Sequence, residues 1–258
     1  MDQLQIYAFD ADEDECARLA RDAPANVVYV AAAPGAREQP ARLHLTVDPA
    51  CSSIFAPDSR ALSVFPELAV AAPVGTREIT LRTLDGWAAS AGVERIDVMK
   101  LDVQGAELEV LRGAEGLLGG VRLIELEVAF NPIYEGQPLF GEVDAFLRAR
   151  GLLLWRLTHL VHYANEAQRA VPVERVDHQF FDSRPVDFTV GAGQLSWGHA
   201  YYCAPELIRC DWPSPELPLR DALAAELFGF GEIVEPALEA AQALIPDGAF
   251  DRHGDAAR

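Results

Sequence analysis

The segment IDVMKLDVQGAELEVLRGAEGLL (Ile96–Leu118) decides how the rest of the chain is read. Ile96, Val98 and Leu101 form a short apolar run that stops at Asp102. Val103-Gln104-Gly105 then turns the chain, and Leu108, Leu111 and Leu118 recur at helical spacing, joined by Val110 and Leu117. The pattern predicts a buried strand, a glycine turn and one amphipathic helix. A carboxylate just past the carboxyl end of a parallel strand stands where open α/β sheets hold ligands. Lys100, Asp102, Gln104 and Glu107 fall together there, so a polar site opens out of a hydrophobic unit.

The same rhythm precedes this segment. Gln5–Phe9 reads as a strand ending at Asp10, Asp12 with Glu15 fits a capping box for a short helix through Leu19, and Asn26–Ala31 reads as the next strand. This β-α-β succession predicts an α/β fold with a parallel, doubly wound sheet. Arg42–Val47 and Arg77–Arg82 alternate in polarity, which predicts an antiparallel excursion within 42–83 over the sheet's ligand edge. CSSIFAPDS (51–59) has the serine and proline of an irregular loop. Thr83–Gly92 gives a short helix containing Trp87.

Downstream, Val121–Phe130 is a further strand carrying Glu125 and Glu127 on one face. Residues 131–140 form a long loop, and Phe140, Val143, Phe146 and Leu147 stripe a helix that stops at Gly151. Leu152–Leu157 makes one more strand, and 158–184, polar, aromatic and aperiodic, reads as an irregular segment that caps the site or packs beneath it. Val186–Val190 and His199–Cys203 read as a final pair of strands. Helices near Pro218–Phe228 and Ile233–Ala243 and a disordered DRHGDAAR end complete the chain. The organisation expected is one α/β domain over 1–205 and a helical extension over 206–258.

Composition narrows the function classes. The chain has 258 residues, half of them hydrophobic, enough for a full core. No apolar run approaches the ~20 residues of a membrane helix. The acidic start MDQLQIYAFDADEDE lacks the basic region and cleavage site of a signal peptide, so no membrane attachment and a cytoplasmic location are expected. A net charge of −19 repels phosphate backbones and disfavours nucleic-acid partners. Cys16, Cys51, Cys203 and Cys210 include no C-x-x-C pair, and reduced thiols are expected. His159 and His162 lack a third ligand at a recognisable spacing, so no metal site is expected.

KLDVQGAELEVLRGA (Lys100–Ala114), followed by IELEVAFNPIYEGQPLFGEVDAFLRARG (Ile124–Gly151), resembles the core of the FkbM-type S-adenosylmethionine-dependent methyltransferases. Those carry a K-I-D-V-Q/E-G-A/Y-E signature and a segment like Y-E-G-Q-P-L-F. Weaker echoes lie at Ile6–Asp10 and Leu195–Cys203. The resemblance implies a Rossmann-like sheet, S-adenosylmethionine as cofactor, and methylation of an oxygen, a hydroxyl on a sugar or secondary metabolite, in a small-molecule acceptor.

The resemblance and the residues together nominate a site. Asp10, at a strand end, is the candidate for the cofactor's ribose hydroxyls; its structural alternative is to start the following helix. The family has A-F-E-P where this chain has Ala8-Phe9-Asp10-Ala11. Asp102 is the candidate to orient cofactor and acceptor and to assist deprotonation, or else it caps the next helix through backbone N–H groups. Glu107 is a cofactor-site candidate, although the helix dipole alone accounts for an acid there. Glu127 needs a polar cavity or a partner, as does Glu125, and is the better catalytic candidate because it lies nearer the strand's carboxyl end. A salt bridge to an arginine is its alternative. Tyr134 and Glu135 are loop candidates for acceptor contacts. His199 follows Trp197-Gly198 where relatives often read W-G-D, so a titratable ring replaces a fixed negative charge.

One family feature is absent. Such folds open with a strand and a glycine-rich turn, and this sequence begins at what corresponds to the second strand. The missing first strand would sit mid-sheet, between the second and fourth, leaving two edges facing a gap. Three accounts compete: a start codon assigned too late, which is favoured; a remnant that no longer binds cofactor; or a second strand that slides over to pair with the fourth. The rival function is a non-catalytic binding or scaffold domain.

Overall fold

The computed structural model describes residues 4–169, 175–179, 185–189, 193–214 and 216–244, and the fold is mixed α/β. Strand β1 (Ile6–Asp10), helix α1 (Glu13–Ala20) and strand β2 (Val27–Ala31) form a parallel unit, with Ile6 level with Val27 and Asp10 with Ala31. Asp12 caps α1 by accepting the Glu15 N–H at 3.1 Å. The reciprocal half of the expected capping box is replaced: the Asp12 N–H donates to the Asp10 carboxylate at 2.7 Å, and Glu15 pairs with Arg18 instead.

Strands β3 (Ala33–Pro34), β4 (Gln39–Thr46) and β5 (Pro73–Arg82) make a three-stranded sheet in the order β3-β5-β4, with β4 and β5 antiparallel as the alternation predicted. Between β4 and β5, CSSIFAPDS (51–59) is largely irregular, as its composition suggested, with isolated bridges at Ser53 and Pro57. Asp58 accepts the Arg60 N–H at 2.7 Å and starts helix α2 (Ser59–Val64). Helix α3 (Leu84–Ala91) is capped by Thr83 and closes at Gly92.

The central segment forms β6 (Val98–Leu101), α4 (Glu107–Arg112) and α5 (Glu115–Leu118), leading to β7 (Leu123–Ala129), which pairs with β6 in parallel. Periodicity predicted one helix; the chain makes two. The break falls at Gly113, where a Cβ would sit 2.0 Å from the Gly35 carbonyl oxygen. The Gly113 carbonyl accepts the Asp85 N–H, and the Asp85 carboxylate takes the Gly116 and Leu117 N–H groups at 2.8 and 3.1 Å. Asp85 thus takes the backbone groups that would continue the helix, and the approach of the Gly35 carbonyl leaves room only for glycine at 113.

After α6 (Phe140–Arg148) come β8 (Leu153–Tyr163), α7 (Glu166–Arg169), β9 (Arg175–Gln179), β10 (Pro185–Thr189) and β11 (Gln194–Cys203). The order β6-β7-β11-β8 makes a four-stranded sheet in which β11 runs antiparallel to both neighbours. Two expectations are corrected here. Residues 158–163 extend β8 rather than beginning an irregular segment, and β10 pairs with β9, not with β11. Val190 and the DRHGDAAR end lie outside the described residues. Helices α8 (Pro205–Arg209), α9 (Glu216–Leu227) and α10 (Gly231–Leu244) follow. They are tied to the start of β7 by Arg122, whose guanidinium donates to Asp221 at 2.7 Å and to Glu206 at 3.1 Å.

Among the described residues, β1 does not pair with β6; the two parallel units belong to separately hydrogen-bonded sheets. They nevertheless share a core. Tyr7 and Phe9 of β1 pack edge-on against Trp87 at 4.9 and 4.7 Å, and Trp87 belongs to the cluster that buries Met99, Leu101, Leu111 and Leu126. No helix among the described residues is long and apolar enough to cross a membrane.

Candidate active site

The turn after β6 is held open by its own helix. Gln104 and Gly105 adopt left-handed conformations (φ 53° and 91°), which turn the chain tightly there. The Glu107 carboxylate folds back into this turn and accepts the Val103 and Gly105 N–H groups at 2.8 and 3.3 Å. Glu107 is only 5% exposed, and burial pushes its carboxyl up to about 7 against the pull of those N–H groups. Its bonds are those of a loop brace.

Because Glu107 takes the loop N–H groups, Asp102 is left exposed, and its only described hydrogen bond is from Gln104 Nε2 at 2.8 Å. The alternative role of Asp102 as a backbone cap is not the one it plays.

The antiparallel excursion closes over this turn. Ser53, 1% exposed, donates to the Gln104 carbonyl at 2.6 Å. The Tyr134 hydroxyl lies 2.8 Å from the Cys51 carbonyl and 3.1 Å from Gln104 Oε1. Gln137 Oε1 accepts the backbone N–H groups of Ile133 and Tyr134 at 2.8 and 2.6 Å. Gly105 lies where a Cβ would approach the Tyr134 ring and Gln137 at 3.3 Å, so both φ and space demand glycine. Tyr134 is 2% exposed and burial drives its phenol upward, so it stays protonated and braces the loop. Its neighbour Glu135 is exposed, held by its backbone N–H to the Ala56 carbonyl at 2.8 Å.

Glu125 and Glu127 share a face of β7, as the sequence predicted, and their surroundings differ. Glu125 is paired, with His199 Nδ1 at 2.8 Å and Lys100 Nζ at 3.5 Å. Glu127 has no hydrogen-bond partner among the described residues, and no arginine meets it. Burial first, then Glu107 and Asp102, pushes it up to about 8, with Lys100 opposing. Its environment favours the protonated form, which can donate a hydrogen bond.

Register aligns these groups. Leu101 is level with Leu126, so Asp102, one residue on, is level with Glu127, which in turn faces His199 across β11. Asp102, Glu127 and His199 thus stand in one row over three adjacent strands, and Lys100, Glu125 and Tyr201 in the row below. At ~4.8 Å per strand the first row spans about 10 Å. Ser53 and Gln137 were not nominated from sequence; only the Ser53-Gln104 and Gln137-Tyr134 contacts reveal them. No group of three or more metal-ligating side chains is arranged to hold an ion among the described residues.

Asp10 stands at the carboxyl end of β1 with its carboxylate turned to the Asp12 N–H. Beyond it, a cavity of about 540 Å³ is lined by Ala11–Asp14, Ala31–Ala33 and Arg77–Thr80. Asp102 and Glu127 do not line that cavity.

The sequence profile of the methyltransferase FkbM domain matches residues 3–154, more than half of the chain and every residue of the β1 and β6–β7 units. The chain belongs to the FkbM methyltransferase family. A curated relative is the 2-O-methyltransferase NoeI of Sinorhizobium fredii (strain NBRC 101917 / NGR234), 41% identical over 71 residues. That match covers 27% of this chain and 29% of the relative, so the chain spans less than a third of the relative's length. No solved structure matches.

Proposed function

We propose that this FkbM-family chain transfers a methyl group from S-adenosylmethionine to a hydroxyl oxygen of a sugar or secondary metabolite. The observation that carries the reading is the row of acids at the strand ends, above all the exposed Asp102 on a braced loop. The FkbM membership supports methyl transfer, and the name of the relative, a 2-O-methyltransferase, supports oxygen as acceptor.

The residues present suit the donor chemically. S-adenosylmethionine supplies an electrophilic methyl on a cationic sulfur, and an acidic strand-end cluster favours a cation. Asp10, with an oxygen not used by the Asp12 N–H, would accept from ribose hydroxyls, and Asp102 would orient the methionine end. Tyr134 and Gln104 keep the loop in place, and the protonated Glu127 offers a hydrogen bond to the acceptor. Glu135 would meet the acceptor from the solvent side. Positioning accounts for most of the rate in such a displacement.

We also infer that β1–β2 and β6–β7–β11–β8 are two parts of one doubly wound, Rossmann-like arrangement over 1–205, with 206–258 as a helical extension. Support comes from their parallel pairings, the helices that join them and the shared Trp87 core. Among the described residues β1 and β6 each leave one edge without a strand partner, which favours one rival, a binding domain that keeps the acceptor side without turnover.

Incubation with S-adenosylmethionine labelled in the methyl group and a panel of methyl pyranosides separates the two. Label in an ether product, lost in Asp102→Asn, is expected. Acceptors bound without label transfer would favour the binding domain.

A further inference from the structure

We propose that His199, held by Glu125, is the base that takes the proton from the acceptor hydroxyl; this deepens the methyltransferase reading and rests on it. The sequence offers only a hint, a histidine after Trp197-Gly198 where an aspartate is usual. The structure supplies a geometry.

Three observations converge on this ring. First, His199 Nδ1 lies 2.8 Å from Glu125 Oε1, and Glu125 is 8% exposed with Lys100 Nζ at 3.5 Å from the same oxygen. A carboxylate facing two donors acts as acceptor, so the His199 proton sits on Nδ1 and Nε2 keeps its lone pair. Among the described residues Nε2 makes no hydrogen bond. This is the carboxylate–imidazole arrangement by which a base is kept in one tautomer.

Second, the backbone is deformed at this position. The β8–β11 ladder shifts register between Trp197 and His199, and His159, whose ring centroid lies 5.3 Å from that of His199, has φ 51°. Irregularities of this kind re-aim side chains beside active sites. Third, His199 occupies the end of the row that begins at Asp102, with Glu127 between them. The ~10 Å between the outer strands of that row leaves room for an acceptor hydroxyl between the donor's end and the base.

The proton balance is simple. The acceptor O–H bond breaks toward Nε2, the oxygen pair forms the bond to the methyl carbon, and the sulfur keeps the pair of the broken C–S bond. The sulfonium becomes a neutral thioether and His199 an imidazolium facing the Glu125 carboxylate. Glu125 is a positioning residue. The charged and titratable groups around the ring are Lys100 from β6, Glu125 and Glu127 from β7, His159 from β8 and Tyr201 from β11.

Nitrogen NMR of the imidazole tests the geometry without turnover. Wild type is expected to show one neutral tautomer with Nδ1 protonated, and Glu125→Ala a mixture of the two. A neutral ring protonated on Nε2 in the wild type would overturn the proposal. In kinetics on a methyl pyranoside that the wild type accepts, His199→Gln should lose about 100-fold or more in kcat, the worth of a positioned base. Its affinity for S-adenosylhomocysteine should stay unchanged. The rise of kcat with pH should survive in Glu127→Gln and vanish in His199→Gln. The opposite pattern would make Glu127 the base and remove His199 from the role. Wild-type chain that gives no heat with S-adenosylhomocysteine would instead overturn the methyltransferase reading, and the base with it.

Discussion

The two parallel units carry their strand-end acids in contrasting settings. In β7 six of seven residues are buried, and the loop after β6 is braced by Glu107, Ser53, Tyr134 and Gln137. In β1 and β2 no residue is fully buried, and Asp10 is tied only to the Asp12 N–H two residues away. Both units are β-α-β, yet one is the floor of the core and the other lies against its side through Tyr7 and Phe9. A strand pair needs partners on both edges and both faces to become rigid. The β6–β7 side is therefore preorganised, and the β1–β2 side is held by fewer contacts.

The largest expected break in this contrast is a cavity. Leu126→Ala, at a fully buried site in β7, should cost about 2–5 kcal/mol in chemical denaturation, whereas Val28→Ala, on the exposed face of β2, should cost no more than about 0.5 kcal/mol. Equal costs would mean that the two units are equally consolidated.

Next comes the buried acid. A carboxyl pushed up to about 8 in the folded chain is protonated there while the unfolded chain has already ionised. Glu127 therefore favours folding most below about pH 4.5, and that contribution is lost as pH rises to about 8. Glu127→Gln should flatten this part of the pH–stability curve and leave the variant more stable than wild type at alkaline pH. The gain is on the order of a few kcal/mol, shared with Glu107, whose carboxyl is also raised. A variant no more stable than wild type at alkaline pH would refute the raised acid.

Gly105→Ala should cost about 1–3 kcal/mol, because its φ of 91° and its 3.3 Å approach to Tyr134 both exclude a side chain. Asp12→Ala, which removes a cap on the looser unit, should cost about 1 kcal/mol. Thermal melts monitored at Trp87, which Tyr7 and Phe9 of that unit touch, give the readout.

Much of this was legible in the chain because local signals agreed with global packing. The strand, turn and helix around Asp102, the Asp12 cap and the alternation of β4 and β5 needed no distant information. The break at Gly113 did, since the Leu108, Leu111 and Leu118 period runs straight through it and only the contacts from Asp85 take up the backbone groups there. The extension of β8 through 163 was hidden because β8 is an edge strand, half-exposed, where polar side chains are tolerated. The alternation of Val186 and Phe188 marked a strand, but nothing local says that its partner is β9.

The site divides along similar lines. Glu125 and Glu127 were visible as acids on one apolar strand, but only cross-strand register says which one finds His199. Glu107 looked like a dipole effect. In the structure it is the brace that releases Asp102.

The central claim, that Asp10 and Asp102 serve one donor, is tested most directly by calorimetry with S-adenosylhomocysteine on wild type, Asp10→Asn and Asp102→Asn. Saturable binding by the wild type is predicted, weakened about tenfold or more in each variant, as expected for the loss of a charge-assisted hydrogen bond. No binding by the wild type, or binding that both variants keep in full, would contradict it.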